Sequence, residues 1–274
     1  MTAPEETLSA ATGGAGARRA TFNGLAAVIG LLAGALAILS LAGSLAEERL
    51  VHRIHDAAPG LLFLFIIAAA CAGLLGARRY SVAAIHQLIV GVAGMSIGTA
   101  LGGSGGPIII VVVALVLALA VLHPLRAEIL TAPRRPSPLM TAIALGVALP
   151  LGWYGVQQAS QQRFQPPTNP HAAEAHYAVM AGTALAFALV ALMAASRPDG
   201  WRLPAWSAGL GVAALGALSV ATPNLAGSFG AAWGVAAITG GAALIVAAEV
   251  EARRPAPQGR AIEAETEPAF DRAN

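Results

Sequence analysis

The sequence predicts an all-α, polytopic membrane helix bundle with eight transmembrane helices, and three observations carry that prediction. The first is composition: of 274 residues, 57% are hydrophobic and 11% charged, with a mean hydropathy of +0.69. A soluble domain carries about 25% charged residues to cover its surface. At 11% the charge cannot coat a globule of this length, so lipid must face most of it. The second is a set of eight apolar runs with no Asp, Glu or Arg in their interiors. The third is the arginines, which concentrate in alternate segments between the runs.

Crossing about 30 Å of hydrocarbon takes about 20 residues at a rise of about 1.5 Å each. The runs are Gly24–Ala46, Ala57–Ala77, Val82–Leu101, Pro107–His123, Leu139–Val156, Tyr177–Ala195, Ala205–Thr222 and Gly230–Ala248. An open sheet in lipid would leave its edges unpaired, so each run is expected to be a helix. In the first, Ser44-Leu45-Ala46 resembles a signal-peptidase site. The run is longer than a signal-peptide core of about 7–15 residues, and Glu5 and Glu6 precede it, so an uncleaved anchor is expected. The fourth is short and β-branched, reading Pro-Ile-Ile-Ile-Val-Val-Val from Pro107. β-Branching lowers helix propensity a little in water, but a lone strand has no partner in lipid, so a helix is expected here too, entered by a tight turn at Gly102–Gly106. The fifth carries Pro150, which should kink it.

With the N-terminus in the cytoplasm, the cytoplasmic segments hold pairs such as Arg18-Arg19, Arg78-Arg79, Arg134-Arg135 and Arg253-Arg254. The external segments hold only Arg49, Arg53 and Arg163. This is the bias of the positive-inside rule and puts both termini in the cytoplasm. Dispersed arginine pairs do not form the basic patch that nucleic acid needs, so the partner is the bilayer. The absence of lysine beside abundant Ala, Gly and Arg resembles the coding bias of a high-GC bacterium, and the expected location is a bacterial plasma (inner) membrane. Residues 1–20 and 251–274 are rich in Ala, Gly, Pro, Thr and charge, and are expected to be disordered cytoplasmic tails. A proline- and arginine-bearing linker, 126–137, divides the chain into four-span halves at 21–125 and 138–250. An even number of spans per half would make a duplication a 4+4 parallel repeat. In each half, histidine and acid precede the second span.

Those residues are the candidate site: Glu48, His52, His55 and Asp56 in the first half, and His171, Glu174 and His176 in the second. If Glu48–Asp56 is helical, Glu48, His52 and then His55 or Asp56 form one stripe. Imidazole and carboxylate so gathered are ligands for Zn²⁺ or another divalent metal. In a helical reading His171 and Glu174 share a face while His176 turns away, so the second segment alone is not expected to close a site. Histidine and acid at a wet interface also cap helices and meet water, and imidazoles there titrate near neutral pH. The segment Gln157–His176 is the longest external connector, able to act as a lid or to meet a partner.

Other features point to packing. His86 and His123 fall near the cytoplasmic ends of the third and fourth spans, and Cys71 reads as a small buried hydrophobe. Gly94-x-x-x-Gly98 and Gly30-x-x-x-Gly34 permit close helix contacts, within the chain or with a homo-oligomer or membrane partner. Trp153, Tyr154, Trp201 and Trp206 belong to interfacial belts. There is no nucleotide-binding loop, dinucleotide fingerprint, nucleophile elbow or catalytic dyad, so an enzyme of a common class is not expected. The spans also lack the Asp or Glu of a proton relay, which argues against an ion-coupled pump. The sequence thus points to a multi-pass membrane protein with a His/acid binding surface on its external face. A transporter or facilitator of a small neutral or amphipathic solute is the first alternative. A metal- or haem-binding membrane oxidoreductase is the second.

Overall fold

A computed structural model describes residues 5–46, 52–76, 80–131 and 135–254, with side chains from residue 15 onward. Among the described residues all regular structure is helical. Eight long helices follow one another: α1 (Glu5–Ala46), α2 (Arg53–Leu75), α3 (Val82–Leu101), α4 (Pro107–Leu122), α5 (Pro138–Phe164), α6 (His176–Ala195), α7 (Arg202–Ala221) and α8 (Ala231–Arg253). Seven of these are long and apolar enough to cross a membrane, and α4, with 16 residues, is shorter.

Helix starts follow local chemistry. Ser81 and Ser137 cap α3 and α5 by accepting hydrogen bonds from the Ala84 and Met140 amides. Pro107 and Pro138 occupy first helical positions, where a missing N–H costs nothing. Three expectations change. Helix α1 begins at Glu5, inside the segment read as a disordered tail, because Ala, Glu, Leu and Arg there are good helix formers. The segment read as a plain linker contains a helical turn, Glu128–Thr131, whose Ile129 is buried. Helix α5 does not stop near Val156 but runs on to Phe164, since Gln, Ala, Ser and Arg extend a helix readily once it has left lipid. Residues 255–274, 47–51 and 132–134 lie outside the described ones, and with them Glu48 and most of the expected C-terminal tail.

Helix α6 is the hub, packed against α2, α3, α5 and α7. Its most apolar stretch is 72% buried, against 17% for that of α1. Helices α1 and α4 flank one side, α5 and α8 another. The outward faces stay apolar: Leu31, Leu39, Ile110, Leu149 and Val246 are all more than half exposed. Such a face suits hydrocarbon, and the architecture is that of a multi-pass membrane protein.

Contacts at the helix ends show that the helices alternate in direction. At one end Phe22 of α1 meets Tyr80 and His123 at ring separations of 5.7 and 5.2 Å. The Ala83 amide donates to the Asp199 carbonyl there, and the Ser137 amide to that of Ala195. The same end carries the ion pairs of Arg197 and Arg254 with the buried Glu251, and of Arg202 with Glu249. At the other end lie the starts of α2 and α6, the end of α5 and the turn between α7 and α8.

Candidate metal centre

That second end gathers four of the six histidines of the chain. His52 is the residue before α2, and His55 sits in its first turn. His171 lies in a four-residue helical turn, Pro170–Ala173, and His176 opens α6. The turn forms because Asn169 Oδ1 accepts hydrogen bonds from the His171 and Ala172 amides ahead of a first-position proline, a standard helix start. Its place is set by the overhang of α5: Gln162 donates from Nε2 to the Ala172 carbonyl (2.7 Å) and accepts at Oε1 from the Ala178 amide (3.2 Å). Helix α5 therefore clamps the connector onto the start of α6.

The decisive local feature is Ala175, whose φ of 58° is left-handed. It breaks the helical register between Glu174 and His176. The expectation that His176 points away from His171 is corrected: their Nδ1 atoms are 3.4 Å apart. Ring centroids lie 4.7 Å apart for His52 and His171, 5.2 Å for His52 and His176, and 4.5 Å for His55 and His171. One ring nitrogen each from His52, His171 and His176 falls within 4.8 Å of the other two. The structure thus brings both sequence segments to one point. Asp56 stands close enough to act on the His171 and His176 rings, and Glu174 Oε2 is 3.3 Å from His176 Nε2.

His55 is 2% exposed, and neither of its ring nitrogens has a hydrogen-bond partner among the described residues. The Ala226 backbone approaches without completing a bond. The ring lies parallel to that of His176, with 13° between planes, and is roofed by Gly227. A Cβ there would sit 2.6 Å from His55 Cε1, and the φ of +81° at Gly227 also demands glycine. Tyr154 of α5 holds this turn by donating its hydroxyl proton to the Gly227 carbonyl. Sequence reasoning did not find Gln162, Tyr154 or Gly227, since nothing in their types marks contacts this far along the chain. Asn169-Pro170 was a readable helix start.

Burial, helped by the neighbouring imidazoles of His52 and His176, holds the pKa of His171 below its ordinary 6.5. It is therefore neutral, and a nitrogen donor, at neutral pH. Three imidazoles in reach of one point form the donor set that Zn²⁺ and similar borderline metals take, with a fourth position left for water or another ligand. Two nitrogens bound tetrahedrally at about 2.05 Å lie about 3.3 Å apart, close to the 3.4 Å between His171 and His176. His52, within 4.8 Å of the other two nitrogens, would have to close in by up to about 1.5 Å to reach that spacing. Glu174, on the far nitrogen of His176, stands where an outer carboxylate would fix the ring if His176 ligated a metal.

His86 and His123 are at the opposite end. His86 Nε2 is 2.6 Å from the Ile129 carbonyl, and His123 Nδ1 accepts from the Leu125 amide. Cys71 is buried against Gly30. Comparison of the chain with protein-family models, with curated proteins and with solved structures finds no match.

Proposed function

We propose that this chain is an eight-span membrane protein whose external face binds a divalent transition metal through His52, His171 and His176. The observation that carries the reading is the convergence of three imidazole nitrogens within 4.8 Å from two distant segments. The unpartnered ring of His55 beside them supports it, because a buried polar group without a partner costs free energy that a ligand or bound water can recover. Glu174 and Asp56 supply compensating negative charge. A haem reading has less support, since the rings crowd too closely to hold a macrocycle between two of them.

The packing pattern supports a 4+4 repeat behind the site. Helix α1 packs on α2 as α5 does on α6, α1 meets α4 as α5 meets α8, and α3 meets α6 as α7 meets α2. On this reading α2 and α6 form the central pair, and each carries one histidine at its start and has one just before it. The arginines at the opposite end support a cytoplasmic location for that end.

Cobalt(II) is the direct test, because four-coordinate Co²⁺ absorbs visible light far more strongly than the six-coordinate ion. Purified protein stripped of metal should bind one Co²⁺ per chain with an intense visible band that Zn²⁺ displaces. The paired substitution His52→Ala and His171→Ala should abolish the band. A weak six-coordinate spectrum, or one unchanged in that variant, would overturn the reading.

A further inference from the structure

A second feature lies on the flank of the bundle, away from the histidines. Between α5, α8 and the turn joining α7 to α8 is a cavity of about 730 Å³, within the range of pockets that enclose a small ligand. It follows α5 from Ile143 to Gln158, about 22 Å along a helix. Its depth is apolar, walled by Ile143, Gly146, Val147 and Gly240, and its outer end is polar, with Gln157, Gln158 and Ser228. Trp153 and Trp233 stand at its sides, 67% and 63% exposed, so the opening faces sideways, in the half of the bundle that carries the histidines and that the proposed function puts on the external side.

We propose that this cavity binds a single-chain, uncharged amphiphile with a hydroxyl head, entering sideways from the outer leaflet. No lining residue is Arg, Asp, Glu or His, so a phosphate or carboxylate head would enter without a counter-charge, at the cost of its hydration. The head must also donate. Gln158 is 8% exposed, and its carbonyl Oε1 has no partner among the described residues. The hydroxyls of Tyr154 and Ser228 already give their protons to the Gly227 and Ser219 carbonyls. A ligand hydroxyl supplies the donor that Gln158 lacks, while its chain fills the apolar depth down to Gly146 and Gly240.

Photolabelling of the full chain in detergent tests the assignment, using a long-chain alcohol that carries a diazirine in its tail. Labelling should saturate and map to peptides of Pro138–Phe164 or Ala231–Arg253. Gly146 and Gly152 both have open space where a Cβ would go, but only Gly146 lines the cavity. Gly146→Leu should therefore cut labelling about tenfold, a loss of about 1.4 kcal/mol, while Gly152→Leu leaves it unchanged. Gln158→Leu should weaken the alcohol about fivefold, as expected for one lost hydrogen bond, and leave the matching methyl ether, which cannot donate, unaffected. Equal labelling in the Gly146→Leu and Gly152→Leu variants would overturn the site. Equal or stronger labelling by the same chain with a phosphate head would overturn the choice of an uncharged head.

Discussion

Glu174 Oε2 lies 3.3 Å from His176 Nε2, so a proton on Nε2 is shared with a carboxylate and Nδ1 keeps its lone pair toward His171. Removing such an outer partner typically costs a factor of about 10–100 in metal affinity. Glu174 is 60% exposed, and water screens its charge, so Glu174→Gln should weaken Zn²⁺ by about tenfold, toward the lower limit of that range. Competition against a chromophoric chelator measures this, and an unchanged affinity would remove Glu174 from the site. The pH dependence follows from His171. Its pKa is depressed by burial and by the rings of His52 and His176, so the folded protein holds it neutral. Its contribution is fully present above the ordinary value of about 6.5 and is lost as pH falls through the lowered one. Metal occupancy and thermal stability should be flat above about pH 6.5 and decline below it, with the midpoint of metal release on the acid side. A midpoint at or above that value would mean His171 is solvated. At this scale the residue types, and the meeting of both segments at one end of the bundle, were legible in the sequence: His52, His55, Asp56, His171, Glu174 and His176 could be named from it. The turn at Ala175 could not, because alanine carries no signal for a positive φ, and that turn makes the second segment converge.

Between elements, the most demanding contact is the seam of α7 and α8. Gly209 and Gly216 on one helix face Gly241 and Gly234 on the other, seven residues apart on each. A Cβ on Gly216 would lie 2.5 Å from the Gly234 carbonyl oxygen, and one on Gly234 2.8 Å from that of Gly216. Since lipid tails are as apolar as the helices, close backbone packing is what holds such a pair together. Gly216→Leu should cost about 1–3 kcal/mol, toward the upper end because backbone cannot step aside. The buried Cys71 is a built-in reporter, reacting with a thiol-specific dye only on unfolding. The midpoint of that reaction on heating should fall by several degrees, at about 2–4 °C per kcal/mol for a chain of this size, while Gly24→Leu, where a Cβ meets nothing, leaves it in place. Equal midpoints would mean the two helices are less closely joined. The seven-residue glycine spacing is visible in the sequence, but its pairing is not, because any of several helices could be the partner. The Gly94-x-x-x-Gly98 pair was legible as a packing surface, and it lies against Gly182 and Ala186 of α6 within the chain. The π-helical segment Phe63–Ala68 inside α2 was not legible. Gln87 of α3 reaches it, donating from Nε2 to the Phe65 and Ile66 carbonyls at 2.9 Å, an irregularity met by one polar side chain from a neighbouring helix.

Across the whole molecule, the histidine cluster constrains the number of crossings. His52 precedes α2, His171 and His176 follow α5, and their rings touch. The chain must return to the same face after α2, α3, α4 and α5, which requires an even number of crossings among the four. Helices α2, α3 and α5 are long and apolar enough to cross; if these three cross, the proposed eight-span reading requires α4 to cross as well, although it has only 16 residues. At about 1.5 Å per residue it spans about 24 Å, short of about 30 Å of hydrocarbon. Local thinning of the bilayer covers such a mismatch at fractions of a kcal/mol per Å. Its ends agree, since the Ser104 amide bonds the Thr99 carbonyl beside the end of α3 and His123 meets Phe22 and Tyr80 at the opposite end. The seven-or-eight question and the shared site are therefore one question. Reporter domains fused after Ser104 and after Arg126 should report opposite compartments, with the Arg126 fusion matching one after Tyr80 and the Ser104 fusion matching one after Ser228. If Ser104 and Arg126 report the same compartment, α4 does not cross, His52 and His171 stand on opposite faces of the membrane, and no metal can bridge them.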